Sequence, residues 1–96
     1  MKMLMLVYSG TDPRRISSVL DEHQAGGYTE FRGVHGVGAT GRREGSRAWP
    51  GDSTLFVSVV PADVAPGLSD ALRTEAGRLP PGERLHVAVL PTETFF

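Results

Sequence analysis

Three short apolar runs constrain the fold of this chain more than any other feature. They are Met3–Tyr8, Ser53–Val60 and Leu85–Leu90, and each is closed by turn-forming or helix-breaking residues. Short runs bounded in this way are typical of buried β-strands. In the first run the odd and the even positions are both apolar, so both faces of that strand need burial. A further segment, Tyr28–Val37, mixes β-forming residues with spaced charges, which favours an edge strand.

Two amphipathic helices are predicted between these strands. The first covers Pro13–Ala25, with Asp12 as the N-cap and Gly26 as the left-handed stop. The second begins at an Asp63 cap and ends at Gly77. Their apolar residues recur every three or four positions, as one buried stripe per helix requires. The stripes are Ile16, Val19, Leu20 and His23 in the first helix, and Val64, Leu68, Ala71, Leu72 and Ala76 in the second.

The resulting order, βαββαβ, predicts an α+β fold of the ferredoxin-like sandwich type. We expect a four-stranded antiparallel sheet with both helices on one face, a long loop between strands 2 and 3, and a single domain spanning residues 1–96. Two helices leave the other sheet face uncovered, although the first and third strands are apolar there too. The sequence therefore predicts that subunits pack these faces together. The alternative cover is the C-terminal segment PTETFF, residues 91–96.

Composition excludes several classes of function. The formal net charge of -1 gives no overall field that would gather nucleic acid, so no nucleic-acid partner is expected. The chain has no cysteine, which excludes disulfides, thiolate metal sites and a cysteine nucleophile. Its apolar N-terminal run is much shorter than the roughly 20 residues of a spanning helix. A cytoplasmic protein without a cofactor is the expectation.

The connection from Gly38 to Gly51 is far longer than a hairpin turn and carries Arg42, Arg43 and Arg47. Its cationic side chains favour an anion or an acidic partner surface. Residues 36–41 also match the G-x-G-x-x-G pattern of dinucleotide sites, but that site needs a helix directly after the glycines. The following RREGSRAWPG does not start one. Read as a P-loop, residues 36–43 give G-x-x-x-x-G-R-R, which lacks the lysine for the phosphates and the hydroxyl for magnesium.

A family resemblance covers most of the chain. It is carried by GYTE at residues 27–30, VHGVG at 34–38, WPG at 49–51 and VVPADV at 59–64. These stretches resemble the PII-like signalling proteins of the nitrogen regulatory PII superfamily, in particular a small PII-like branch. The resemblance implies a non-enzymatic homotrimer that buries its uncovered sheet faces.

The resemblance also implies that a small-molecule effector binds in clefts between subunits, at the base of the long loop. The loop then acts on a protein partner, either a membrane transporter or an enzyme. The predicted ligand-binding residues are the glycines at the loop base and the nearby cationic and imidazole side chains: His35, Gly36, Gly38, Arg42, Arg43, Arg47 and Arg84. The predicted partner-binding residues are those of the loop itself: Ala39, Thr40, Gly41, Arg42, Arg43, Glu44, Gly45, Ser46, Arg47 and Trp49.

Two departures from the family qualify the expected ligand. Glu83 stands where PII proteins carry a lysine for nucleotide phosphates, and residues 91–96 contain no arginine. Ordinary PII-type ATP binding is therefore not expected, and the arginines of the loop together with Arg84 would suit a smaller or differently placed anion. Two alternatives stay open. One is a small ferredoxin-like enzyme, although no catalytic constellation is present; the other is a CutA-type metal-tolerance protein, which would need metal binding at His35.

Overall fold

The computed structural model describes residues 1–23, 25–38, 41–42 and 53–96, with residues 37, 38, 41 and 42 described by their backbone alone. The elements follow in the order β1 (Lys2–Ser9), α1 (Arg14–Glu22), β2 (Thr29–Val34), β3 (Val37–Gly38), β4 (Gly41–Arg42), β5 (Ser53–Val60), α2 (Ala65–Gly77) and β6 (Arg84–Pro91). Four of these strands form one antiparallel sheet in the order β2-β5-β1-β6. The predicted ferredoxin-like α+β fold is confirmed.

The apolar runs occupy the positions in the sheet that their composition predicts. β1 pairs from Lys2 to Tyr8 with β5 on one side, and from Lys2 to Ser9 with β6 on the other. β5 is central as predicted, between β1 and β2, and β2 lies at an edge. Cross-strand partners such as Leu6 and Phe56 share a face, so the period-two alternation of each strand divides its side chains between two faces.

One sheet face is covered by the two helices, and we call it the covered face. Leu4, Leu6 and Tyr8 of β1 and Phe56 of β5 point there and are 0% exposed. They pack against buried apolar residues of both helices: Ile16, Val19 and Leu20 from α1, and Ala65, Leu68 and Leu72 from α2. The cover is thinner over β6. Val87 and Val89 lie beside a groove of about 200 Å³ next to α2 and remain exposed.

Helix α1 is shorter than predicted at its C-terminal end. It ends at Glu22 rather than Ala25, and the His23 ring Nδ1 lies 3.0 Å from the carbonyl oxygen of Val19. Gly26 takes a positive φ of 81°, so the predicted left-handed stop is present, but the helix has already ended when the chain reaches it. At the other end the Asp12 carboxylate accepts the N–H of Arg14 at 3.3 Å, while Pro13 is the N-cap residue.

The predicted Asp63 cap of the second helix is wrong. Residues 61–64 form a turn in which the Val64 N–H donates to the carbonyl of Pro61 at 3.0 Å. Helix α2 then begins at Ala65, with Val64 as N-cap and without a side-chain cap. The helix reaches Gly77, as predicted.

The predicted second strand is too long. Its pairing with β5 is interrupted by a bulge between Phe31 and Val34, where Gly33 adopts a φ of 72° that favours glycine. β2 therefore ends at Val34, and the chain continues into the short hairpin of β3 and β4. Within the G-x-G-x-x-G stretch, Gly36 follows β2 without regular structure, Val37 and Gly38 form β3, and Gly41 begins β4.

Candidate functional site

The sheet face opposite the helices is apolar and largely uncovered within one chain. We call it the open face. It carries alternate residues of the four main strands, among them Met3, Met5, Val7, Phe31, Leu55, Val57, Val59, Ala88 and Leu90. Met5 is 38% exposed, Phe31 48% and Leu90 38%. Soluble monomers rarely leave a contiguous apolar area of this kind in water, which makes this face the candidate site for assembly and ligand binding.

A groove of about 570 Å³ lies at one end of the open face, and we call it the β2–β5 groove. Among its lining residues are Gly26, Gly27 and Thr29 at the start of β2, Val57 and Val59 of β5, and Phe95 of the C-terminal segment. The strand register places Thr29 opposite Val57, which brings the first two groups together. The Ser58 hydroxyl donates to the carbonyl of Gly27 at 2.7 Å and fixes the groove's rim. None of the described residues that line this groove is charged.

The base of the long loop lies at the opposite end of the sheet. β2 ends at Val34, whose partner is Ser53 at the start of β5. The hydroxyl groups of Ser53 and Ser9 are 2.7 Å apart and buried. Thr29 and Val34 are five residues apart, or about 17 Å along an extended strand. The groove and the loop base are therefore separate regions of the same strand pair.

The structure brings only some of the predicted ligand residues together. His35 and Gly36 are exposed directly after β2, and a side chain at Gly36 would meet no atom within 4 Å. Arg84 is exposed at the start of β6, opposite Ser9. Three inter-strand spacings, or about 14 Å, separate the β2 and β6 edges. Arg84 and His35 of one chain are thus on opposite edges of the sheet.

The remaining predicted site residues lie in or beside the long loop. Gly38 belongs to β3, and Gly41 and Arg42 form β4. The other loop residues proposed for ligand or partner binding lie outside the described residues: Ala39, Thr40, Arg43, Glu44, Gly45, Ser46, Arg47 and Trp49. Their roles stay predictions.

A polar cluster of Tyr8, Thr11, Glu83 and the Asp12 N–H, which we call the Tyr8 latch, joins two turns at the loop end of the sheet. The Tyr8 hydroxyl donates to Glu83 Oε1 at 2.7 Å and accepts the N–H of Asp12 at 3.1 Å. Thr11 donates to Glu83 Oε2 at 3.3 Å. A Cβ atom at Gly10 would overlap the Tyr8 ring and the Glu83 carboxylate, so only glycine fits there. Glu83 therefore holds the turn before β6 against the turn after β1.

The hydrogen bonds of the Tyr8 latch have a structural role. Burial, reinforced by the hydrogen bond to Glu83, raises the pKa of Tyr8 from 10.0 to about 12. Tyr8 therefore keeps its proton at neutral pH and serves as a donor, and both of its described hydrogen-bonding roles are filled. This geometry explains the cluster without a reaction.

The described residues contain neither a cluster of metal-ligating side chains nor a membrane-spanning helix. Within residues 1–23, 25–38, 41–42 and 53–96, no group of three or more His, Cys, Asp or Glu side chains gathers. His23 directly follows α1 and His86 is in β6, so neither belongs to the loop base of His35. No helix in the described ranges combines the length and apolar character needed to cross a bilayer.

Comparison with solved structures reveals a close architectural match. CPII, a nitrogen regulatory PII-like protein from Thiomonas intermedia K12, superimposes with a TM-score of 0.68 in its complex with ADP and bicarbonate. The two chains are 19% identical, and the match covers 93% of this chain and 84% of CPII. The chain has the PII-like fold. The resemblance drawn from the sequence motifs is thereby confirmed at the level of the fold.

Other structures agree. CPII bound to ADP, AMP and bicarbonate gives a TM-score of 0.65 at 20% identity, over 93% of this chain and 84% of that one. A Thermus thermophilus protein described as PII-like and signalling gives 0.64 at 22% identity, over 92% and 82% of the two chains. No protein-family model matches the chain, and no curated protein matches it.

The sequence analysis missed the β2–β5 groove. Its lining comes from three separate segments, around residues 25–29, 57–61 and 95, which only the sheet register and the path of the C-terminal segment bring together. Two observations on the sequence nevertheless concern the segments that line this groove. GYTE and VVPADV carried the family resemblance, and PTETFF was the predicted alternative cover of the uncovered face. Phe95 reaches the groove, but it leaves most of the open face exposed.

Proposed function

We propose that this single-domain chain is a cytoplasmic, non-enzymatic PII-like regulator. In this proposal it assembles as a homotrimer, senses a small-molecule effector at clefts between subunits, and acts on a protein partner through the loop of residues 38–51. The observation that carries the proposal is the open face, an apolar surface continuous with a groove of ligand size, in a fold shared with nucleotide-bound CPII structures.

The exposed apolar area of the open face supports self-assembly, because assembly would remove that area from water. Met5, Phe31 and Leu90 expose apolar area that one chain does not cover, and each square ångström removed from water contributes about 25 cal/mol. A closed ring of identical chains buries that area on every copy. Three copies are the number that the PII resemblance implies.

The β2–β5 groove supports effector binding. Its volume of about 570 Å³ falls within the roughly 300–1,000 Å³ of small-molecule sites. Its apolar, uncharged lining suits an uncharged part of a ligand, while Arg84 and the base of the loop lie towards the other end of the sheet. We infer that an elongated effector, with a neutral part in the groove and an anionic part towards the loop base, fits this arrangement. CPII has been solved with ADP, AMP and bicarbonate, which makes those compounds the first probes.

The positions of Arg84 and His35 support a site shared between subunits. They lie on opposite sheet edges, so one chain does not offer both to the same small anion. In a ring of chains the β6 edge of one subunit can approach the β2 edge of the next. We propose that Arg84 acts on the effector held at the loop base of a neighbouring subunit, while Arg42, Arg43 and Arg47 contribute from the loop itself.

Size measurement and ligand titration together test the function. Light scattering should give a mass of about 31 kDa, three times the 10.3 kDa of one chain. A thermal-shift panel of AMP, ADP, ATP, cyclic nucleotides and bicarbonate should raise Tm for at least one compound, since a ligand at 100 times its Kd stabilises the folded state by about 2.7 kcal/mol. Copper and zinc belong in the same panel.

The double variant Arg42→Ala/Arg43→Ala and the single variant Arg84→Ala supply the controls. Each should reduce the shift given by an anionic compound without changing the mass. A protein that stays monomeric at micromolar concentration and responds to no compound contradicts the proposal. Copper or zinc binding that disappears in His35→Ala would favour the CutA-type alternative instead.

A further inference from the structure

His86 lies on the open face, at one end of a row of side chains that is otherwise apolar. It pairs with Val7 of β1, which pairs in turn with Leu55 of β5. Leu55 pairs with Phe31 of β2, and cross-strand partners share a face, so the row crosses the whole sheet. His86 is exposed at its β6 end. An imidazole that can take up a proton near neutral pH thus belongs to the surface proposed for self-assembly.

No acidic side chain among the described residues of the four-stranded sheet shares the open face with His86. The only acid of these four strands is Glu30. Glu30 pairs with Phe56, which places it on the covered face, and its carboxylate contacts Arg32. The paired open-face positions of β1, β2 and β5 carry apolar or hydroxyl side chains. A protonated His86 therefore finds no counter-ion on the described part of this face.

The charged groups around His86 either oppose its protonation or lie elsewhere. Arg84 is two residues earlier on the same face of β6, about 7 Å along the strand, and its positive charge repels an imidazolium. Glu83 is the nearest acid along the chain, but its carboxylate accepts the hydrogen bonds of the Tyr8 latch. Glu93 lies beyond the far end of β6, and the two helices are on the other side of the sheet. Among the described residues, Arg84 is thus the charged group that accompanies His86 on the open face.

Packing of open faces would bury this imidazole against the same set of side chains on another copy. Identical chains offer one another apolar and hydroxyl side chains, an arginine and an imidazole, without an acid on the described part of their open faces. A buried cation without an acidic partner is strongly unfavourable, whereas a neutral imidazole costs much less. We propose that His86 makes self-assembly through the open face pH-sensitive: copies associate while the imidazole is neutral and separate when it takes up a proton. This inference rests on the proposed function, to which it adds a control by pH.

The direction of the pH effect follows from the form of His86 that assembly buries. Assembly favours the neutral imidazole, so association is strongest at alkaline pH and weakens as the pH falls through the range in which histidine becomes charged, about pH 8 to 5. Each buried His86 weakens association by up to about tenfold per pH unit in that range. A trimer buries three of them, so its upper limit is about 1,000-fold per pH unit.

Sedimentation equilibrium of the full-length chain over a dilution series, at about pH 8 and about pH 6, tests the role of His86. The association constant of the parent chain should fall by roughly 10- to 1,000-fold at the lower pH. His86→Gln and His86→Phe stay uncharged at both pH values and should lose most of this fall, and His86→Phe should associate at least as tightly as the parent. His23→Gln is the matched control, because His23 follows α1 in the helical layer, and it should keep the full response. Circular dichroism should stay native for every variant at both pH values.

Several results would overturn the role of His86. One is a fall in association of parent size in both His86→Gln and His86→Phe. Another is a fall that disappears in His23→Gln or in His35→Gln but persists in the His86 variants, since the pH response would then belong to another imidazole. Unfolding at the lower pH to the same extent in the parent and the His86 variants would likewise contradict it. A parent chain that is monomeric at both pH values sinks the proposed assembly and this inference together. If it is trimeric with equal association constants at both pH values, the pH sensitivity alone fails.

Discussion

The covered face and the open face are made by the same strands, yet they differ in what completes them. Neighbouring residues illustrate the contrast: Phe56 is buried under the helices, while Val57, one residue further on, faces the other way and is half-exposed. Both faces are apolar, and one chain covers only the first of them. In the proposed function other molecules cover the second face, and a regulator would respond to its ligand there.

The largest effect should come from Phe56→Ala on the covered face. Its ring is fully buried and meets the Tyr28 ring edge-on, with centroids 6.0 Å apart. We expect the free energy of unfolding in urea to fall by about 3–5 kcal/mol. Val57→Ala is the control on the open face and should cost about half of that or less. Equal losses from the two variants would show that the two faces are equally well packed.

A charge on the open face should break assembly while sparing the fold. Met5→Glu places a carboxylate where the proposed trimer buries its sheets, and burying an unpaired charge costs several kcal/mol. We expect a native circular dichroism spectrum together with association weakened by at least about 100-fold, equivalent to about 2.7 kcal/mol. Ser18→Glu, on the exposed surface of α1, should keep the trimer mass. A Met5→Glu protein that remains fully trimeric would rule out the open face as the interface.

The latch at the rim of the covered face should have an intermediate effect. Tyr8→Phe leaves Glu83 and the Asp12 N–H without their hydroxyl partner, which should cost about 1–3 kcal/mol at neutral pH. Because folding raises the pKa of Tyr8, its protonated form stabilises the fold below pH 10, and this stabilisation is lost as the pH rises through about 12. Denaturation at pH 7 and pH 11.5 checks both points. The parent chain should lose more stability between those pH values than Tyr8→Phe, and equal losses would contradict the role of the buried hydroxyl.

The smallest effect should come from the ion pairs of the helical layer. Arg15 of α1 contacts Glu75 of α2 at 2.7 Å and also donates to the carbonyl of Arg78 at 3.3 Å, so it links the two helices over the core. Arg73 faces Asp70 at 3.8 Å on the exposed side of α2. Arg15→Met should lower Tm slightly, and Arg73→Met should leave it unchanged. A larger fall in Tm for Arg73→Met than for Arg15→Met would contradict a stabilising role of the Arg15–Glu75 ion pair.

The sequence predicts best where one residue pattern decides the structure. Continuous apolar runs fixed β5 to the residue and β1 and β6 to within about a residue of their ends. The errors lie where a local tertiary contact decides. The bulge at the left-handed Gly33 interrupts the pairing of β2 with β5, which resumes only at Val34, and the turn that begins at Pro61 displaces the expected Asp63 cap.

The candidate site is harder to predict than the fold because it is not contiguous in the sequence. The loop and its base can be recognised from glycines and arginines alone. The β2–β5 groove depends on the register that sets Thr29 beside Val57 and on the path that brings Phe95 across the sheet. No local pattern encodes either, and the opposite-edge position of Arg84 likewise emerges only from the strand order.

Because of the Tyr8 latch, the substitutions that position 10 tolerates depend on the residues at positions 8 and 83. With tyrosine at position 8 and an acid at position 83, any side chain at position 10 collides with both. A substitution at Gly10 becomes acceptable only after the ring at position 8 has been lost or moved, so the order of mutational steps matters. Among distant homologues, we therefore expect glycine at this turn to covary with the tyrosine two residues before it and with the acid at position 83. These three positions give a sequence search a signature at a level of identity where overall similarity is weak.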